Sequence, residues 1–313
     1  MPDTDTIALT LAHSPDADDM AMWWPLTGFL TPTGDRLRPP TIDTGRFTFH
    51  PMARDVEHLN ATARERPLDI TAISAAAWPA LADLYAITDA GASFGENYGP
   101  KLVARADAPL HCDGCVRAQK PDIAIPGART TAALVLKMVL GPAREQTRLV
   151  EMPFEQIAHA VAQGEVGAGL LIHEAQLTFE GHGLKQVLDL GQWWHAQTGQ
   201  PLPLGLNVVR RGLEDEHGPG TLAEIDRLLS ASVAHARANP GQTREYLLLH
   251  ADTKPEWRDD ALLERYLAMY VSDLTASMGP RGHAALERLY AQAQGAGLLP
   301  QAPTVDAIDP ARV

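Results

Sequence analysis

Two cysteines in 313 residues cannot staple a fold, so the chain must be held by a packed core and not by a disulfide framework. They stand together as Cys112 and Cys115 in HCDGC, a single CxxC with no second pair. A structural zinc site takes four protein ligands. His111 would make a third and the sequence offers no fourth, so no metal is assigned. Pro109 and Gly114 predict an irregular connection rather than the helix start a thioredoxin-like motif needs, which makes both thiols surface groups of a loop. Positive charge is scarce too: 26 Lys and Arg against 39 Asp and Glu leave a net charge of −13. A phosphate-binding face needs a basic patch, and none is visible, which argues against nucleic acid as a partner. No apolar run approaches the ~18 residues of a membrane-crossing helix. The opening MPDTDTIALTLAHSPDADD lacks the basic segment and long apolar stretch of a secretory signal. The expectation is a cytoplasmic protein with no membrane partner. Nucleotide and metal motifs are also missing. There is no GxGxxG and no GxxxxGK[ST]. HEAQL fails HExxH because residue 177 is leucine, and DADDMA puts Met20 and Ala21 where a calcium loop needs a ligand and a glycine.

What is present is globular. Hydrophobic residues make up 45% and charged residues 21%, and the length suits about two domains at ~150 residues each. One unit recurs: a short apolar run, a hydroxyl residue, then a helix start. TIALTLAH leads to Ser14, with Pro15 and the acids Asp16, Asp18 and Asp19 behind it, the pattern of an N-cap, a proline at N1 and an acidic first turn. DITAIS leads to Ser74 and a predicted helix over AAAWPALADLY. DIAIPGARTT leads to Thr130 and Thr131, then AALVLKMVL closed by Gly141. VGAGLLIHE is a fourth apolar run. Strands alternating with helices predict a mostly parallel α/β sheet.

Residues 28–50 are rich in Pro and Gly and predict an elaborated loop before a strand near Phe47–Phe49, while the polar segment 106–122 suits a crossover into a second domain. Beyond Arg211 the chain turns helical. Ile225, Leu228, Leu229 and Val233 fall at helical spacing, as do Leu262, Leu263, Tyr266, Leu267 and Tyr270, and both stripes are assigned to core. Trp193 and Trp194 are assigned to packing.

In an open parallel sheet, ligands bind beyond the carboxyl ends of the strands. Ser14, Ser74, Thr130, Thr131 and His173 all sit at such ends. Hydroxyls and free N–H groups at helix starts favour anions, so four convergent ends would form a carboxylate-binding pocket holding one imidazole. Each hydroxyl is also explained as an N-cap. His173 suits general-base work. Strand alternation predicts that His173 and Glu174 point to opposite faces, leaving Glu174 a structural partner.

AIPGARTTAALVLKMVL, VEMPFEQIAHAVAQGEVGAGLLIHEAQLTFEGHGL and VLDLGQWWHAQTGQPLPLG together resemble the 1,4-dihydroxy-6-naphthoate synthase family, lyases of the futalosine route to menaquinone that act on cyclic dehypoxanthine futalosine. The likeness runs from about residue 7 to about 292, is densest over 123–206, and includes VSDLTASMGPRGHAALERLYAQA. The resemblance implies an α/β, two-lobed type II periplasmic-binding-protein-like fold with an inter-lobe cleft and C-terminal helices. It places lobe 1 at 1–105 plus 207–313 and lobe 2 at 106–206, joined by a hinge of two crossings. It also implies a carbon–carbon lyase without cofactor, with His173 as proton acceptor and Ala72, Ile73, Ser74, Thr130 and Thr131 binding a small carboxylated substrate. Ser14 and Asp19 complete the expected substrate-binding set. After its first strand the family usually reads close to SPCPND. This chain reads SPDADD, so Asp18 replaces an asparagine; an added carboxylate would repel an anionic substrate unless it is neutralised or turned away. Other readings stay open: a solute-binding protein of the same fold, a sister lyase of the chorismate dehydratase kind, and a paralogue acting on another carboxylate. The oligomeric state is not readable.

Overall fold

The strand β5 (Ile70–Ser74) is buried at every position, as a strand covered on both faces must be. It sits at the centre of the larger of two main sheets in the computed structural model, which describes residues 6–252 and 254–308. That sheet runs β4 (Phe47–Ala53), β1 (Ile7–His13), β5, β13 (Leu202–Arg210), β6 (Tyr85–Ile87), with β7 (Ser93–Gly95) also paired to β13. The second sheet runs β10 (Leu149–Glu151), β9 (Ile123–Ile125), β11 (Ala168–Leu171), β8 (Lys101–Arg105), β12 (Leu184–Asp189). A small ribbon pairs β2 (Phe29–Leu30) with β3 (Arg36–Arg38), inside the predicted elaborated loop. β1 is parallel to β4 and β5, while β13 returns antiparallel. In the second sheet β9 is parallel to β10 and β11, and β8 runs against β11 and β12. The chain thus passes from the first sheet to the second between β7 and β8, and back between β12 and β13.

These crossings lie earlier than boundaries at 105/106 and 206/207. β8 pairs within the second sheet, and β13 is in the first sheet from Leu202 onward. The polar stretch 106–122 follows the crossing and does not make it; hydrogen bonding between distant strands decides membership, and local composition does not report that.

One apolar core spans both sheets, taking Ile73, Leu206 and Val208 from the first and Leu102, Ile123 and Leu170 from the second, with Trp78 from the segment after β5. Trp194 belongs to it, with its Nε1 donating to Pro201 O at 3.1 Å, and Trp193 packs against it. Of the C-terminal stripes, Ile225, Leu229 and Val233 pack under β1 and β4 in one cluster, and Leu263, Tyr266 and Tyr270 bury in another with Trp24 and Trp257. No helix among the described residues is long and apolar enough to cross a membrane.

Three local readings are corrected. Ser14 caps no helix: the helix Ala17–Thr27 starts three residues later with Asp16 in the cap position. After Ser74 the chain makes turns and a short 3-10 segment, Trp78–Ala80, because Pro79 lacks the N–H that a longer helix would use. Cys112 and Cys115 lie on no irregular loop: Cys112 caps the helix Asp113–Gln119.

Candidate active site

The carboxyl ends of β1, β5 and β11 meet the N-terminus of the helix Thr131–Leu140 around one cavity of about 110 Å³. All eight positions named from the sequence line it: Ser14, Asp19, Ala72, Ile73, Ser74, Thr130, Thr131 and His173. Asp16, Asp18, Ser93, Gln176, Tyr266 and Tyr270 line it as well.

His173 lies beyond its strand. β11 ends at Leu171 and His173 takes φ +53°, a left-handed conformation that costs a non-glycine residue on the order of 1 kcal/mol. The expected alternation of His173 and Glu174 therefore fails, since it requires extended backbone. The turn brings His173 Nδ1 to 3.1 Å from Asp16 Oδ2, and the Phe154 ring meets the imidazole edgewise at 4.8 Å. His173 Nε2 is buried without a hydrogen-bond partner. Glu174 is buried too, but its Oε1 accepts from Trp257 Nε1–H at 2.9 Å and it does not line the cavity.

Asp16 is fully buried. Its Oδ2 also accepts from the Ser14 hydroxyl, and its Oδ1 lies 3.6 Å from Lys254 Nζ. Asp19 folds back so that Oδ2 accepts the Ser14 N–H at 2.6 Å. Four acids crowd here. Burial, then the charge of Asp19, Asp16 and Glu174, push Asp18 well above the usual carboxylate range, and Tyr266 OH donates to Asp18 Oδ1 at 3.1 Å. Burial, opposed by the Ser14 N–H, brings Asp19 up to about 7. Burial followed by the charge of Asp16 raises Glu174. Burial and the neighbouring carboxylates thus favour the protonated form of Asp18, the direction that lessens repulsion of an anionic ligand.

The hydroxyls divide by what they already do. Thr130 Oγ1 accepts from Ala133 N–H at 3.1 Å and donates to Gly127 O at 2.8 Å, a true N-cap. Thr131 Oγ1 donates to Leu204 O at 2.7 Å and accepts from Ala76 N–H at 3.1 Å, tying the start of the helix that follows β9 to β13 and to the turn after β5. Ser74 Oγ accepts from Asn60 Nδ2 at 2.9 Å, so its own proton points elsewhere. What the helix start offers a ligand is backbone N–H at its first turn, whose donors have no partner within the helix.

Sequence reasoning missed Asp16, Lys254 and the two tyrosines. Tyr266 and Tyr270 fall in a core stripe and do bury, but both also line the cavity and hydrogen-bond its Asp18 and Gln176, and helical spacing shows only the first fact. Reading GxSxG as absent is also wrong, because GASFG at 91–95 has that spacing of a hydrolase nucleophile elbow. Ser93 lies on β7 rather than on a strand-to-helix turn, and its Oγ accepts from Gly205 N–H at 3.1 Å.

Known proteins resemble the chain throughout its length. A family profile described as menaquinone biosynthesis matches residues 9–295. The 1,4-dihydroxy-6-naphthoate synthase of Thermus thermophilus is 34% identical over 296 residues, covering 95% of this chain and 97% of that protein. A crystal structure of a protein from Archaeoglobus fulgidus, 38% identical, matches with a TM-score of 0.79 over 93% of this chain and 98% of that one. The alkanesulfonate-binding protein SsuA of Xanthomonas axonopodis pv. citri, 12% identical, matches with a TM-score of 0.63 over 96% of this chain and 97% of that one. That likeness concerns the fold alone, which is the periplasmic-binding-protein-like one. By profile, identity and coverage together, this chain belongs to the menaquinone biosynthesis family.

Proposed function

We propose that the protein is a cytoplasmic 1,4-dihydroxy-6-naphthoate synthase, a carbon–carbon lyase that acts on cyclic dehypoxanthine futalosine with His173 as proton acceptor. The observation that carries this reading is the state of the imidazole. Nδ1 faces the Asp16 carboxylate, so the Nδ1–H tautomer is favoured and the lone pair sits on Nε2, which no protein group occupies. A base in that position takes a proton from bound substrate. The ribose-derived part then leaves, and aromatisation of the remaining ring system drives the step. The Asp16 carboxylate stabilises the imidazolium that forms, as a buried carboxylate does for a general-base histidine elsewhere. The substrate carboxylate is read by the N–H groups opening the helix Thr131–Leu140 and by the Ser74 hydroxyl. Ala72 and Ile73 supply the adjoining wall, and Ser14 and Asp19 fix the turn that carries Asp16. The Thr131 bonds across the sheets hold the lobes closed around the ligand, which excludes water and fixes geometry.

Purified protein incubated with cyclic dehypoxanthine futalosine is expected to form the naphthoate product, followed by absorbance, and His173→Ala to lose about 100-fold or more in rate. Substrate bound and recovered unchanged would instead favour a solute-binding protein. Turnover of chorismate to its enolpyruvyl product would favour the dehydratase.

A further inference from the structure

We infer that Cys112 and Cys115 form a redox-active dithiol that accepts small-molecule disulfides as oxidant and closes to an intrachain disulfide. The inference is independent of the cavity and of the function proposed for it.

The two sulfurs lie 2.9 Å apart, and the Cys115 N–H donates to Cys112 Sγ at 3.2 Å. Both are free, Cys112 exposed and Cys115 half-buried. Pro109 and Gly114 predicted a loop. Instead Cys112 immediately precedes the helix Asp113–Gln119 and Cys115 lies in its first turn, so the backbone itself brings the two side chains together. That turn is anchored. Val116, the next residue, is fully buried. Arg117 pairs with Asp113 at 2.8 Å and donates to Val139 O at 3.0 Å, holding the short helix against the end of Thr131–Leu140. The sulfurs are therefore presented on a fixed frame. Gly114 adds access: a Cβ there would already touch Cys112 Sγ at 3.7 Å, and the glycine leaves that side of the sulfur open. The hydrogen bond from Cys112, helped by the backbone at His111, holds the Cys115 thiol below its ordinary value, which raises the thiolate fraction available for exchange. A metal would need more donors, and no group of three ligating side chains occurs among the described residues.

The chemistry balances as thiol–disulfide exchange. One cysteine thiolate attacks a sulfur of a disulfide RSSR, its S–S bond breaks, and RS⁻ leaves and takes up a proton. The other cysteine, as thiolate, attacks the mixed disulfide and expels the second RS⁻. Two cysteine thiols give up two electrons and two protons, and RSSR becomes two RSH. The vicinal partner makes the second step intramolecular and fast.

The test is intact-mass analysis of the folded chain after exposure to glutathione disulfide and alkylation. The expected wild-type product has lost two hydrogens and carries neither glutathione nor alkyl group, at a rate independent of protein concentration. Cys112→Ser and Cys115→Ser are each expected to stop at a stable glutathione adduct, and dithiothreitol reverses all three. In glutathione buffers the folded chain should reach half-oxidation at a lower ratio of disulfide to thiol than the same chain in urea. Stable adducts on the wild type, alkylation of both thiols, or equal midpoints in folded and unfolded chain would overturn the inference.

Discussion

Asp16 Oδ2 stands 3.1 Å from His173 Nδ1, joining the turn after β1 to the turn after β11 across the cavity. A buried carboxylate facing one imidazole nitrogen determines what the other nitrogen can do. Asp16→Asn keeps the shape and removes the charge, and its amide can face Nδ1 as a donor, which favours the tautomer with the proton on Nε2. The expected outcome is a fall in kcat of about 10- to 100-fold with KM changed little. Steady-state kinetics with the tautomer read by nitrogen NMR of His173 checks it, and an unchanged tautomer with full activity would remove Asp16 from the reading.

Asp19 gives a pH signature. Its folded value of about 7 lies above its ordinary 3.8, so the folded state holds the proton more tightly. The resulting stability is complete below the ordinary value, falls as pH rises toward about 7, and stays lost above it. Asp19→Asn can still accept the Ser14 N–H and does not ionise. Thermal unfolding should show the variant gaining on wild type between about pH 5 and about pH 8, by on the order of 2 kcal/mol. A gap that does not widen with pH contradicts the assignment.

Asp18 should behave as an amide would. Raised by burial and by the charges of Asp19, Asp16 and Glu174, and hydrogen-bonded by Tyr266, it is expected to tolerate Asp18→Asn with kcat/KM within about threefold at neutral pH, under about 1 kcal/mol. Loss of 100-fold or more at neutral pH would mean that the acid itself takes part.

Thr131 tests the tie between lobes. Thr131→Val removes the acceptor of Ala76 N–H, while Leu204 O keeps the Ala75 N–H. Urea unfolding should register a loss of about 1 kcal/mol, and KM should rise more than kcat falls if the bond helps hold the closed form. Unchanged stability and KM together would show that the bond does neither.

Much of this site was legible because its signals are local. An apolar run ending in a hydroxyl marks a strand end wherever it occurs, Thr130 caps as its position predicts, and Gly141 stops its helix at φ +54°. The strand ends pointed to Ser14, Ser74, Thr130, Thr131 and His173 and the resemblance implied Ala72 and Ile73; together with Asp19 they line one cavity. The resemblance of the IPG, TTA and IHE stretches added the reaction.

What the sequence by itself determined is therefore the strand-and-helix grammar, the residues at the strand ends and the family. Only the tertiary structure decided the electrostatics of the site, because its determining contacts join residues far apart in the chain. Tyr266 reaches Asp18 across 248 positions and Trp257 reaches Glu174 across 83, and no periodicity encodes either. The same holds for His173, whose left-handed turn is invisible in an apolar run that reads as strand to its end. Whether Asp16 is a helix-start acid or the partner of a base depends on what is folded against it, since burial and neighbouring charge set a carboxylate's behaviour.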